Sequence, residues 1–100
     1  MKKVVLLCNL GMSTSMLVKK MREAAIEISY ECDINAYPVS EVTNVGKEAD
    51  VILLGPQIRF KLNDIKELCP NTPVEVIDTA TYGMMDGKKV ITNILKIIGE

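Results

Sequence analysis

Two short, almost wholly apolar segments constrain the fold of this chain more than any other feature. They are residues 3–7 (Lys-Val-Val-Leu-Leu) and residues 50–54 (Asp-Val-Ile-Leu-Leu). Each has the length of a strand, and neither alternates between polar and apolar residues. Strands of this kind are typical of a parallel sheet that is covered by helices on both faces. The two segments therefore predict the centre of such a sheet.

The remaining segments alternate between strand and helix patterns. Residues 30–37 follow a period of two, which predicts a half-exposed strand at a sheet edge, and residues 73–77 predict a fourth strand. Residues 78–87 are predicted to form a turn, and residues 40–45 a short helix. Apolar residues at helical spacing predict three longer helices with these inward positions: Leu17, Met21, Ala24 and Ile28; Ile58, Leu62, Ile65 and Cys69; Val90, Ile91, Ile94, Leu95 and Ile98.

Strands that alternate with helices predict an α/β fold. Right-handed crossovers then give a doubly wound, four-stranded parallel sheet with helices on both faces and the strand order 2-1-3-4. This order creates a topological switch point between the first and third strands, where ligands of such sheets bind. Cys8 and the segment 55–57 follow those two strands. The 100 residues predict a single domain over residues 1–100.

Composition excludes several classes of function. A net charge of −1 gives no basic surface for nucleic acid, and no apolar run is long enough to span a bilayer. The chain has no histidine, which excludes phosphohistidine carriers, histidine-dependent hydrolases and most zinc sites. Three widely spaced cysteines without a CxxC motif favour free thiols in the cytosol. We expect neither a metal ion nor a cofactor.

The segment after the first strand carries the chemistry. Its residues 8–15 read Cys-Asn-Leu-Gly-Met-Ser-Thr-Ser, with a loop over residues 9–12 and N-cap residues for a helix at Ser13, Thr14 and Ser15. Gly11 gives the loop access to backbone conformations that are closed to other residues. We therefore expect the loop N–H groups and the positive end of the helix to form a phosphate-binding site beside Cys8. The same field favours the thiolate, so Cys8 is the candidate nucleophile. The alternative is that Cys8 is a small core residue.

One position separates two known uses of such a loop. Low-molecular-weight cysteine phosphatases and arsenate-reductase-like enzymes carry an arginine six residues after the cysteine, and its guanidinium stabilises the hydrolytic transition state. Here that residue is Thr14. An uncharged loop suits a carrier that retains its phosphoryl group. The phosphatase stays open as an alternative, and so does an anion-binding module with an incidental thiol.

At these residues the chain resembles the lactose/cellobiose (N,N′-diacetylchitobiose) type of enzyme IIB component of the bacterial sugar phosphotransferase system (PTS). The resemblance runs nearly end to end. It rests on residues 7–15, on Ala-Asp-Val-Ile-Leu-Leu-Gly-Pro-Gln-Ile at 49–58, on residues 73–78, and on Tyr82-Gly83 with Asp86-Gly87.

The resemblance implies that Cys8 becomes phosphocysteine. It would accept the phosphoryl group from a phosphohistidine of enzyme IIA and pass it to a sugar, such as a β-linked disaccharide, that the membrane enzyme IIC imports. The implied location is the cytoplasm, with transient association at the inner face of the membrane through enzyme IIC. The phosphate-binding loop carries over, mainly through backbone amides, onto these residues: Asn9, Leu10, Gly11, Met12, Ser13, Thr14 and Ser15.

Several other residues are weaker candidates, each with an ordinary structural alternative. Gln57 is a candidate hydrogen-bond donor to the phosphoryl group or to a partner, and Tyr82, on the loop after the fourth strand, a candidate rim residue. Arg59 and Lys61 are candidate contacts for an acidic partner, although isolated helix charges are usually only solvated. Met12 and Met16 form a hypothetical docking surface. We expect structural roles for Cys32 and Cys69.

Overall fold

The computed structural model describes residues 1–9 and 12–100. Four strands form one sheet: β1 (Lys2–Cys8), β2 (Cys32–Pro38), β3 (Val51–Leu54) and β4 (Val74–Val76). All pairings are parallel, and the order is β2-β1-β3-β4. The predicted α/β fold and the 2-1-3-4 order are therefore confirmed.

In the described residues, five α-helices accompany the sheet: α1 (Met12–Glu27), α2 (Val42–Val45), α3 (Leu62–Leu68), α4 (Thr79–Gly83) and α5 (Gly87–Ile98). Short 3₁₀ segments precede and follow α2, at Val39–Glu41 and Gly46–Glu48, and a third, Pro56–Lys61, joins β3 to α3. No helix in the described part of the chain is long and apolar enough to cross a membrane.

The central strands explain why the sheet has two cores. All four residues of β3 are buried, and so are residues 4–7 of β1. Alternate residues of β1 point to opposite faces. Val4 and Leu6 join the core beneath α1 and α5, whereas Val5 and Leu7 join the core beneath α2 and α3. Strand β2 lies at an edge, as its period-two pattern predicted, with Ile34 buried and its neighbours partly exposed.

Helices α1 and α5 pack closely on one face of the sheet. The buried residues that they contribute are Leu17, Val18, Met21, Ala24, Ala25, Val90, Ile91 and Ile94. The prediction for Ile28 is wrong, because α1 ends at Glu27 and Ile28 is 54% exposed. The chain leaves α1 through Ser29, whose positive φ lets Tyr30 N–H donate to Ala25 O and turns the backbone away before Ile28 can join the helix face.

The segment between β4 and α5 differs from its prediction as a turn. It contains α4, which begins after Asp78. The Asp78 carboxylate accepts hydrogen bonds from the N–H (3.1 Å) and the hydroxyl (2.6 Å) of Thr81, so it caps the helix. These bonds, led by the one from the hydroxyl, hold the pKa of Asp78 below its usual value. The cap and the burial of Thr81 and Tyr82 explain why so short a helix forms.

Candidate functional site

Cys8 is the last residue of β1 and lies at the carboxyl edge of the sheet. Its neighbours across the sheet are Pro38, at the end of β2, and the segment that follows β3. The side chain is half-buried, and its Sγ lies 3.8 Å from the carbonyl oxygen of Tyr37, a long contact for a weak thiol donor. The N–H of Gly55 donates to Leu7 O at 3.0 Å, which fixes the end of β3 beside Cys8.

Helix α1 begins four residues after Cys8, at Met12. Its first-turn N–H groups have no carbonyl partner within the helix. No acidic side chain stands in that turn to offset the positive end of the helix dipole. The connection to Cys8 is short, so the chain keeps this electropositive turn near the sulfur. This is the kind of geometry that binds an anion.

Of the predicted phosphate loop, Leu10 and Gly11 lie outside the described residues. Asn9 is exposed at a bend, and Met12 and Ser13 have helical backbone. The predicted N-cap role of Ser13, Thr14 and Ser15 is wrong, since all three lie inside the first turn of α1. The misassignment has a physical origin: the same small polar residues suit both the cap and the first turn.

Thr14 makes the most informative contact of this loop. Its Oγ1 lies 2.7 Å from the Oη of Tyr82, and the two residues are only 2% and 8% exposed. This is an ordinary length for a hydrogen bond between two hydroxyls. The Thr14 side chain thus points into the protein and bonds to α4. At this position, six residues after Cys8, the loop therefore carries an uncharged side chain.

Tyr82 does not lie on a loop, as the sequence predicted, but within α4, and it is buried. The residue packs in the same core as Leu6 and Leu17. Its ring also approaches the end of β3, because a Cβ on Gly55 would lie 3.7 Å from Cε2 of Tyr82. The signal that predicts α4 from sequence is Asp78 followed three residues later by Thr81, which is a capping pattern.

Gln57 lies over the end of β3. The residue is exposed, and its Oε1 would lie only 2.9 Å from a Cβ on Gly55, so the amide folds back over that glycine. Gly55 has an ordinary extended φ of −62°, which any residue adopts. A Cβ here would meet only the end of the exposed Gln57 side chain, which can move, so the contact shows where Gln57 lies and does not make glycine a requirement. The structure therefore brings Gln57, Tyr82 and Cys8 to the same edge of the sheet.

The other sequence candidates lie around or away from this edge. Arg59 is exposed, and Lys61 Nζ lies 5.7 Å from the centroid of the exposed Phe60 ring. Met16 is 45% exposed, one turn into α1. Within the described ranges, no group of three or more His, Cys, Asp or Glu residues could hold a metal ion.

The other two thiols stand apart from Cys8. Cys69 is buried in the core beneath α2 and α3. Cys32 pairs with Lys2 at the amino end of the sheet, where burial raises the pKa of its thiol. Cys8 lies six positions further along β1, or about 20 Å away at 3.3 Å per residue. Cys32 is therefore a thiol of the same chain, far from the candidate site, at which a substitution can serve as a control for the same substitution at Cys8.

A doubly wound parallel sheet with a cysteine at its switch point, followed within four residues by a helix, defines a class of small α/β proteins that carry a thiol at the ligand-binding edge of the sheet. The comparisons with known proteins are specific within this class. Residues 3–93 match the family model of the PTS system, lactose/cellobiose-specific IIB subunit. The chain belongs to this family. It is an EIIB component of a sugar phosphotransferase system and hence a phosphotransferase.

Individual relatives support the same assignment. The chain is 41% identical to the oligo-β-mannoside-specific EIIB component of Bacillus subtilis, with 98% of this chain and 97% of that protein aligned. The solution structure of the cellobiose-specific IIB component of Borrelia burgdorferi matches with a TM-score of 0.82 and 33% identity, over 98% of this chain and 92% of that one. The lactose-specific IIB domain of Streptococcus pneumoniae shares the fold, with a TM-score of 0.84, 18% identity and 95% of each chain covered.

Proposed function

We propose that this protein carries a phosphoryl group on Cys8. In the first step the Cys8 thiolate attacks the phosphorus of a phosphohistidine on enzyme IIA. An S–P bond forms, the P–N bond breaks, and its electron pair stays on the imidazole. In the second step a sugar hydroxyl oxygen attacks the phosphorus. The S–P bond breaks, the thiolate is restored, and the hydroxyl proton is released to solvent.

The observation that carries this proposal is the position of Cys8. Its sulfur is half-buried at the carboxyl end of the central strand, close to the start of α1, in a chain of the PTS IIB family. Ligands of doubly wound sheets bind at this edge. A thiolate next to a helix N-terminus is a competent nucleophile, and the same N–H groups suit a phosphoryl group once it has arrived.

We assign phosphate binding to residues 9–15, chiefly through their backbone N–H groups. The loop needs no side-chain cation for this task, because amides at a helix start bind phosphate by themselves. The inward bond from Thr14 to Tyr82 supports a carrier over a phosphatase. Without a guanidinium at that position the loop stabilises the hydrolytic transition state less, so phosphocysteine survives until an acceptor arrives. Gln57 and Tyr82 form the rest of the site.

We assign enzyme IIA as the donor and enzyme IIC, with its bound sugar, as the site of the second step. This arrangement implies a cytoplasmic protein that associates transiently with the inner face of the membrane. The relatives described above are named for oligo-β-mannosides, cellobiose and lactose. These names support a β-linked saccharide, such as a disaccharide, as the acceptor. The single domain requires no cofactor of its own for either step.

The test is phosphorylation from labelled phosphoenolpyruvate with the upstream transfer proteins and enzyme IIA. We expect one thiol-linked phosphate per chain, which peptide mapping places on Cys8. Cys8→Ser should reduce labelling to background. The matched control is Cys32→Ser, which makes the same change at the opposite end of the sheet and should label like the wild type.

Four outcomes contradict the proposal. Full labelling of Cys8→Ser excludes Cys8 as the acceptor. A label on another residue transfers the role to that residue. Rapid turnover of an aryl phosphate by the protein alone supports the phosphatase alternative, and reaction of Cys8 with a thiol reagent no faster than free cysteine supports the anion-binding module.

A further inference from the structure

Thr14 and Tyr82 form a buried hydrogen bond between two separate helices of the fold. It joins the first turn of α1 to α4, across 68 residues of sequence. The helix start that it holds is the one assigned above to phosphate binding. A hydroxyl pair this well buried is shielded from water, which competes with hydrogen bonds at the surface.

Tyr82 is itself held from two directions. Asp78 caps α4 through Thr81, which fixes the helix that carries the tyrosine. The ring lies against Gly55, and the N–H of Gly55 donates to Leu7 O, one residue before Cys8. A continuous series of contacts therefore runs from the first turn of α1 through Tyr82 to the strand end that carries the sulfur.

We propose that Tyr82 is a positioning residue for phosphoryl transfer, and that it acts by hydrogen-bonding Thr14 so that the first turn of α1 is held in register with Cys8. This proposal rests on the proposed function. The backbone N–H groups of that turn bind the phosphoryl group only if they lie at hydrogen-bonding distance from its oxygens. A displacement of about 1 Å at such a site can reduce the rate on the order of 100-fold.

The test removes each hydroxyl separately. Tyr82→Phe keeps the ring against Gly55 and deletes only Oη, and Thr14→Val replaces the hydroxyl by a methyl group of similar size. We expect either variant to lower kcat for transfer from phosphorylated enzyme IIA about 10-fold, with KM for enzyme IIA unchanged. Thr14→Ser keeps the hydroxyl and should have a kcat several-fold above that of Thr14→Val.

The double variant distinguishes a shared role from two separate roles. If the two hydroxyls act through one bond, Tyr82→Phe with Thr14→Val should be no slower than either single variant. The control is Tyr30→Phe, the same change at a buried hydroxyl that has no hydrogen-bond partner among the described residues. It should transfer at the wild-type rate. Circular dichroism at the assay temperature verifies that each variant is folded. If Tyr82→Phe is unfolded, Thr14→Val alone tests the proposal.

Three outcomes overturn the proposal. The first is an unchanged kcat in Tyr82→Phe or, if that variant is unfolded, in Thr14→Val. The second is a double variant in which the two single-variant reductions of kcat multiply. The third is a raised KM for enzyme IIA at constant kcat, which indicates that the pair contributes to docking and not to positioning. Labelling of wild-type Cys8 separates this failure from failure of the proposed function. If wild-type Cys8 is labelled and any of these outcomes is found, only the positioning role of Tyr82 is lost.

Discussion

Gly87 allows α5 to approach α1 closely enough to form the larger core, and replacing it by alanine should weaken that core. A Cβ at this position would lie 2.4 Å from the carbonyl carbon of Lys20, 2.5 Å from its oxygen and 2.7 Å from the nitrogen of Met21. All three are backbone atoms of a 16-residue helix, so none can rotate away as a side-chain end does. The helices must separate instead.

The size of the effect follows from that separation. Ordinary contact requires a shift of about 1 Å, which removes a quarter to a half of the dispersion attraction across the interface. The buried side chains affected include Met21, Ala24 and Ile91. Overpacking against a rigid backbone costs about 3 kcal/mol at the upper end of its usual range. For a domain of this size that lowers Tm by about 12–24 °C.

The matched control is Gly83→Ala, the same substitution at the end of α4. A Cβ on Gly83 would meet nothing within 4 Å, and its backbone is helical. Alanine there should therefore be neutral or stabilise the fold by about 0.5 kcal/mol, since it restricts the unfolded chain. Thermal and urea unfolding followed by circular dichroism measure both variants. A Gly87→Ala stability within about 0.5 kcal/mol of wild type would refute the packing argument.

Two further substitutions test the turns that end one helix and begin another. Ser29 has a φ of +56° at the turn after α1, so Ser29→Gly should relieve left-handed strain and raise Tm by a few degrees, or about 0.5 kcal/mol; a lower Tm in thermal unfolding contradicts this. The hydrogen bonds from Thr81 lower the pKa of Asp78 in the folded state. The ionised carboxylate therefore stabilises the folded state fully when the pH is above the usual carboxyl pKa, and this stabilisation is lost as the pH falls through the lowered folded-state pKa. The Tm difference between wild type and Asp78→Asn, which cannot titrate, should be constant above about pH 5 and shrink toward about pH 2; a difference independent of pH contradicts it.

The accuracy of the sequence predictions depended on how local their signals were. The continuous apolar runs at residues 4–7 of β1 and 51–54 of β3 fix these strands at the centre, because only a strand covered on both faces tolerates such a run. The short helix α4 was missed because five residues cannot nucleate a helix by propensity. It forms because Asp78 caps it and because Thr81 and Tyr82 are buried.

The candidate site shows the same division. The sequence pattern predicts the position of Cys8 after a buried strand and before a helix, because loop lengths and strand–helix alternation are local properties of the chain. The inward direction of the Thr14 side chain is not, since Thr14 suits a cap, a first turn and a phosphate contact equally well. Its actual partner, Tyr82, belongs to a helix that the sequence pattern predicted as a turn.

The sequence by itself determined the sheet order, the central and edge strands and the place of Cys8 at the end of a central strand, because apolar periodicity reflects which faces of a strand are covered. Only the tertiary structure decided that Thr14 bonds to Tyr82, that Gln57 folds over Gly55, and that Gly87 touches the backbone of Lys20. The Thr14–Tyr82 and Gly87–Lys20 contacts join residues that are far apart in the chain, and such pairs cannot be predicted from a local sequence pattern. They exist because closure of the sheet and its helices brings the partners within contact distance.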